Sequence, residues 1–464
     1  MKNSLQKYSA LAFIASILLI SGCDPEIEDV VKVSKGDLNL DKYVAVGNSL
    51  TAGYMDGGLY REGQLNSYPS ILAQQFQQAG GGDFTQPLFT EEQENGSGYL
   101  RLSAFSPTGL PVLTPVTEKL AIRSQNPTLY TKYTEEINNL GVPGIRMSDI
   151  QTAGYGSSQG NPYFERITTN PTQTYLARVA ASNPTFFSCW LGNNDILGYA
   201  TAGAFANSIT ATETFTTNNS EVINALTANG ANGIVATIPD VTGIPFFTTV
   251  GPTIKGLLTT AGVPGMVALT RNSNARIQIA TSQIKDAAGG NILFPLTSST
   301  YLPLVGQRTG KYWRDLARQA VPTNPTLGLI TILVNYQIDT TQLFGVSAGN
   351  PWPSALLLDA AEQKDVSDAT INFNNILKAK AEEKGLAVFD AYTYFNSLQG
   401  GFTQNGVAYS PAFITGNLFS LDGVHLTPRG YALVANEMIK AINAKYNSRI
   451  PTADITQYRA VLFP

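Results

Sequence analysis

Tyr43-Val44-Ala45-Val46-Gly47-Asn48-Ser49-Leu50-Thr51-Ala52-Gly53 joins a short apolar, β-branched run to an abrupt Gly-Asn-Ser break. Val44 and Val46 suit a buried strand. Gly47 and Gly53 let the backbone turn tightly on either side of the serine. A serine just past the carboxyl end of a buried strand is held rigidly and well placed for nucleophilic chemistry. Serine is a weak nucleophile and needs a base. The chain holds one histidine, His425, in Leu421-Asp422-Gly423-Val424-His425-Leu426, with a carboxylate three residues before it. If imidazole activates Ser49, His425 is the only candidate, and Asp422 is the nearest acid to orient it.

Outward from this stretch, apolar runs alternate with helical patterns. Residues 68–76 read as a helix with Ile71, Leu72 and Phe76 on one face, stopped by Gly80-Gly81-Gly82. Residues 83–133 are rich in Pro, Gly and Thr and lack periodicity, which suggests an insertion over the site or a small subdomain. A short strand follows in Ile137-Asn138-Asn139-Leu140-Gly141-Val142-Pro143-Gly144, and residues 145–153 are expected to begin a helix. A helix near 172–182 leads to a strand at 185–191, which ends in Gly192-Asn193-Asn194-Asp195. A helix near 219–229 precedes a strand at 234–238. Residues 240–350 break the rhythm, and apolar stretches such as Leu327–Val334 have no clear helical partner. This second insertion reads as a lid or pocket wall, an interface patch, or a subdomain with its own small core. Regularity returns with a helix around 366–384, carrying Phe373, Ile376, Leu377 and Ala381 on one face and ending at Gly385. A strand at 386–389 comes next. A last helix, capped by Thr427 with Pro428 at its first position, runs to about 445 and is followed by an extended tail, 447–464. Alternating strands and helices predict a three-layer α/β/α sandwich around a mainly parallel sheet. Ser49, Gly144 and Asn194 each follow a candidate strand, so they can converge at the carboxyl edge of that sheet.

Of 464 residues only 14% are charged, well under the roughly 25% of an average soluble protein, and Gly, Asn, Thr and Ser fill the polar surface instead. That balance favours an exported protein. Residues 1–22 agree: Lys2 and Lys7 precede an apolar run, Leu11–Ile20, too short to span a bilayer. Ile20-Ser21-Gly22-Cys23 resembles the lipobox of bacterial lipoproteins, in which the signal is cut before a cysteine that carries lipid (palmitate among its acyl chains). The acidic run Asp24, Glu26, Glu28, Asp29 resembles the export tag of surface lipoproteins in Bacteroidetes-type bacteria. It implies an acidic tether over 23–40 and a lipid anchor on the outer membrane, on its surface face where the tag acts. Removing residues 1–22 takes the chain from 30 basic and 34 acidic residues to 28 and 34, a net charge of −6, with no basic patch for nucleic acid. With Cys23 acylated, Cys189 is left alone in an apolar run and reads as a buried small hydrophobe.

Four blocks together resemble the SGNH or GDSL-type serine esterases and lipases, in that family's order: Gly47-Asn48-Ser49-Leu50, Gly144, Gly192-Asn193-Asn194-Asp195 and Asp422-Gly423-Val424-His425. The resemblance implies a flavodoxin-like hydrolase domain over 41–446 carrying two large insertions, 83–133 and 240–350. It implies Ser49 as nucleophile, His425 as base and Asp422 as its orienting acid. The oxyanion donors would be the Ser49 and Gly144 backbone amides and the Asn194 side chain. Gly141 rivals Gly144 for that role, and Asn193 or Asp195 rivals Asn194. The implied substrate is an ester (an acyl lipid, an acetylated glycan or a small soluble ester), hydrolysed without metal or organic cofactor. One departure stands out: Asn48 occupies a position where the family usually has aspartate. It keeps an acceptor oxygen of similar reach and loses the charge. The alternative to an enzyme is a lipoprotein of the same fold that binds a ligand or envelope partner through its insertions.

Overall fold

A computed structural model of the protein describes residues 32–105, 111–404 and 406–464. The signal region, Cys23 and the acidic run lie outside them.

Five parallel strands make the central sheet: β1 (Tyr43–Gly47), β2 (Asn139–Gly141), β3 (Phe186–Trp190), β4 (Asn232–Ala236) and β5 (Ala387–Phe389). Their order is β5-β4-β3-β1-β2. Both neighbours of β1 are parallel to it, with Gly47 opposite Gly141 on one side and Trp190 on the other. Every residue of β1 and of β3 is buried, as expected for strands covered on both faces. The order reverses between β1 and its neighbour β3, and open α/β sheets bind ligands at such a switch point, beyond the carboxyl ends of the strands. Ser49 follows β1 and Asn194 follows β3.

Helices complete the three layers. After β1 comes a single turn, α1 (Ser49–Ala52), then α2 (Tyr68–Gln78), α3 (Tyr175–Ala180), α4 (Asn194–Thr201), α5 (Thr212–Thr227), α6 (Lys311–Ala320), α7 (Pro325–Asn335), α8 (Ala360–Glu383) and α9 (Pro428–Tyr446). Helices α2 and α9 pack together on one face of the sheet, and α3, α5 and α8 cover the other. Phe215 of α5 and Phe373 of α8 stack face to face at 3.9 Å. The three-layer α/β/α expectation holds. Thr427 caps α9, accepting the Gly430 N–H, and Pro428 opens it, as the sequence indicates.

Elsewhere the structure corrects the reading. Residues 145–153 form only a 3₁₀ turn at Met147–Asp149, because carbonyls that a helix would use are taken from outside: Met147's by the Asn218 side-chain amide and Ile150's by the Leu176 N–H. Residues 83–133 hold two antiparallel hairpins, 99–116 and 122–130. The expected tether stops short of residue 40: Ser34 pairs with Arg449, and Leu38 and Leu40 are buried, since two apolar side chains gain by packing on the body. The second insertion has its own hydrophobic core, built around Trp313, Trp352, Phe294 and Phe344 and reaching Leu357, beyond the expected limit at 350. The segment after α9 is extended but docked, with Ile450, Ile455 and Val461 buried.

Candidate active site

Gly47 ends β1 where a Cβ would collide with Thr51 and approach the Trp190 carbonyl, so only glycine fits. Asn48 is the N-cap of α1: its Oδ1 accepts the Leu50 N–H at 3.1 Å. Capping needs an acceptor oxygen and no charge, which accounts for asparagine serving where aspartate is usual. Its Nδ2 is buried without a partner. Gly53 closes the turn at φ +82. Ser49 is thus fixed at the first position of a one-turn helix and is 8% exposed.

The Ser49 Oγ lies 2.8 Å from His425 Nε2, and His425 Nδ1 lies 2.8 Å from Asp422 Oδ2. Asp422 Oδ1 accepts the backbone N–H groups of Val424 (2.9 Å) and His425 (2.8 Å) and the Ser420 hydroxyl (3.2 Å). Burial works against its charge, but the adjacent His425 ring and these donors win and hold the carboxyl well below the ordinary carboxylate range.

A second loop, unremarked in the sequence, grips Asp422 from the far side. Met55 and Gly58 exchange both backbone hydrogen bonds at 3.0 Å around Asp56-Gly57, whose φ values are +55 and +77. This is a two-residue turn of the kind Asp-Gly favours. It aims the Gly57 N–H at Asp422 Oδ2 (2.9 Å) and the Asp56 N–H at Ser420 Oγ (2.9 Å). The buried Asp56 carboxylate accepts the Leu421 N–H (2.9 Å) and the Tyr60 hydroxyl (2.6 Å). Arg459, from the C-terminal segment, forks onto Glu62 at 2.5 and 2.7 Å beside Tyr60. The Tyr54 ring sits 4.6 Å from the His425 ring. The Asp-Gly pair signals a turn, but nothing local signals a partner 365 residues away.

Gly144 and Asn194 line one solvent-open cleft of about 400 Å3, together with Arg146, whose guanidinium is engaged by Asp149 at 2.8 Å. Asn194 Nδ2 donates to the Ile145 carbonyl at 2.9 Å. Gly144 has φ +83, and a Cβ there would meet only Asn161 Nδ2 at an ordinary 3.6 Å, so backbone conformation asks for glycine there. Two of the neighbouring candidates, Gly141 and Asp195, have other work. A Cβ on Gly141 would strike the α1 backbone, so Gly141 lets β2 close on the serine turn. Asp195 accepts the Met147 (2.6 Å) and Ser148 (3.2 Å) N–H groups and fixes the loop that follows Gly144. Burial pushes its carboxyl up to about 6. Asn193 Oδ1 is buried without a partner.

On the other flank, Leu50, Val424 and Leu426 adjoin Ser49 and His425 and line a small apolar pocket of about 40 Å3, walled also by Ile244, Phe395 and Phe419. Among the described residues no three His, Cys, Asp or Glu side chains converge so as to hold a metal ion.

Residues 297–438 match the family model described as GDSL-like Lipase/Acylhydrolase. The match spans under a third of the chain, takes in Asp422 and His425 and excludes Ser49. No curated protein matches the chain. Among solved structures, it is similar to LAE5, an alpha/beta hydrolase enzyme from the metagenome of Lake Arreo, Spain, at 11% identity over 89% of this chain and 98% of that one. The TM-score is 0.34, too low to bear on chemistry. The C-terminal part of the chain thus resembles GDSL-like lipases and acylhydrolases, and this supports a hydrolase of the esterase or lipase type.

Proposed function

We propose that the protein is a serine-dependent carboxylic-ester hydrolase working through an acyl-enzyme on Ser49, and that lipid on Cys23 anchors it to the outer membrane. The unbroken line from Ser49 Oγ through His425 to Asp422, 2.8 Å at each step, carries the catalytic half of this reading. His425 takes the Ser49 proton as Oγ adds to the ester carbonyl. Asp422 keeps the proton on Nδ1 before the step and stabilises the imidazolium after it. The oxyanion is received by the Ser49 and Gly144 amides and by Asn194. A donor of this kind is typically worth about 10²–10³ in turnover. Collapse of the intermediate releases the alcohol, which takes the proton from Nε2. Water, activated by the same imidazole, then frees the acid. The small apolar pocket beside Leu50 and Val424 supports a short aliphatic acyl chain over a bare acetyl group.

The test is hydrolysis of p-nitrophenyl esters from acetate to decanoate by the chain from residue 24, beside Ser49→Ala. Turnover that vanishes in the variant supports the serine hydrolase, and turnover that rises beyond acetate supports the apolar pocket as the acyl site. Turnover that is serine-dependent but confined to acetate removes the cavity from the account. A folded protein inert on every ester removes the enzyme.

A further inference from the structure

Helix α7 carries an apolar stripe that faces no part of the described chain. Leu327, Ile330 and Val334 are 56%, 55% and 69% exposed, at the i, i+3, i+7 spacing of one helical face. Gly328 and Ile332 are buried on the opposite face, in the insertion's own core. No Asp, Glu, Lys or Arg occurs from Gln319 to Ile338. Exposed apolar residues are ordinary when scattered singly, but three in a row on one helix mark a contact surface.

The helix beside it supplies the opposite chemistry. On α6, Lys311, Arg314 and Arg318 share the exposed face, while Tyr312, Trp313 and Ala317 are buried. Asp315 engages Lys311 and Arg318 and is the one acid between residues 305 and 338, against four cations with Arg308. A segment of net charge +3 is conspicuous in a chain whose remainder is acidic. The two helices pack closely at Gly328, where a Cβ would sit 3.1 Å from Val321, just past α6, and 3.3 Å from the Ala317 carbonyl, so the basic and apolar stripes belong to adjoining helices.

We propose that the α6–α7 hairpin docks on an anionic phospholipid surface. Leu327, Ile330 and Val334 enter the boundary between headgroups and acyl chains, and Arg314 and Arg318 meet lipid phosphates. A basic polar face beside an apolar ridge is the pattern of helices that lie in a membrane interface. The proposal rests on the reading of Cys23 as the lipid-bearing residue. Ser34 is already fixed to the body, so Cys23 lies eleven residues from that fixed point, a distance of at most about 40 Å. A body held that close meets the bilayer, and of its described surfaces this hairpin combines the two features lipid would recognise.

The experiment uses the chain from residue 24, which keeps every described element and lacks Cys23, so binding reports the hairpin and not the anchor. Sedimentation with vesicles of phosphatidylglycerol and phosphatidylethanolamine is expected to pull down the unaltered chain. L327D/I330D/V334D is expected to raise the half-binding lipid concentration by about tenfold or more. R314E/R318E is expected to weaken binding to these vesicles and to leave the weaker binding to phosphatidylcholine unchanged. V334D alone, at the most exposed position, repeats the test with the least disturbance. Hydrolysis of a soluble short ester reads the active site separately, so loss of vesicle binding and loss of catalysis are distinguishable. An unaltered chain that stays in the supernatant, or a triple variant that binds as well as it does, overturns the proposal. So does a lipid-free dimer that the same triple variant splits, because the face would then be a subunit interface.

Discussion

The carboxyl edge of the central sheet and the insertion over 250–357 are both well packed, yet different forces hold them. The edge is pinned by directional polar contacts across great sequence distance: Leu421 to Asp56, Gly57 to Asp422, Met147 to Asp195, Asn194 to Ile145. The insertion is held chiefly by volume, with Trp313, Trp352, Phe294 and Phe344 filling a separate apolar core. Its two tryptophan N–H groups find local partners, Asn350 and the Leu356 carbonyl. Polar pinning fixes atoms to fractions of an ångström, which chemistry requires. Apolar filling secures a shape and tolerates change outside it. Substitutions at the edge should therefore cost turnover and little stability, and substitutions in the insertion core the reverse.

The largest expected effect is at Asp422. Asp422→Asn keeps the shape, gives the imidazole the wrong proton, and should lower kcat by about 10⁴. It also carries a pH signature. The carboxyl is depressed in the folded state, so its contribution to stability is present above its unfolded value near pH 4 and is lost as pH falls through the lower folded value. Melting temperatures between pH 5 and 2 should fall less steeply in Asp422→Asn than in the unaltered chain. Equal slopes would deny the ionised, pinned carboxylate.

Asn194→Ala comes next, with kcat about 10²–10³ lower and KM little moved, since the donor acts on charge that forms in the transition state. A drop confined to KM would make Asn194 a substrate contact only. Ser420→Ala should be milder: it removes one donor to Asp422 and the acceptor of the Asp56 amide, and about a tenfold loss of kcat is expected. Were the Asp56-Gly57 turn only structural, stability would fall and kcat would not. At the other pole, Trp352→Ala should cost about 3–5 kcal/mol of stability by calorimetry, with turnover on soluble esters within about twofold. A large loss of kcat there would erase the distinction between the two regions.

The same distinction separates what was legible in the sequence from what was not. Ser49, Gly144 and Asn194 are readable because each follows a short apolar run in a glycine- or asparagine-rich break, and Asp422 and His425 because the one histidine has a carboxylate three residues before it. The Asp56-Gly57 turn is readable as a turn, but its grip on Asp422 is a tertiary fact, as is the link from Arg459 to Glu62. The helix expected over 145–153 fails because distant groups, the Asn218 side chain and the Leu176 N–H, claim the Met147 and Ile150 carbonyls that a helix would have used. Helix α7 escapes notice for a different reason. Pro325–Asn335 is apolar or neutral all round, so no periodic contrast marks its buried side. Helix α5 starts seven residues early because its first turns carry Thr and Asn, not an apolar stripe.

The central claim is that Ser49 is an activated nucleophile, and reaction with a fluorophosphonate followed by peptide mass spectrometry tests it most directly. The account predicts a single phosphonate adduct on Ser49, absent in Ser49→Ala and formed at least about 10²-fold more slowly in His425→Ala. A folded, unlabelled protein, or an adduct on another serine, would contradict it.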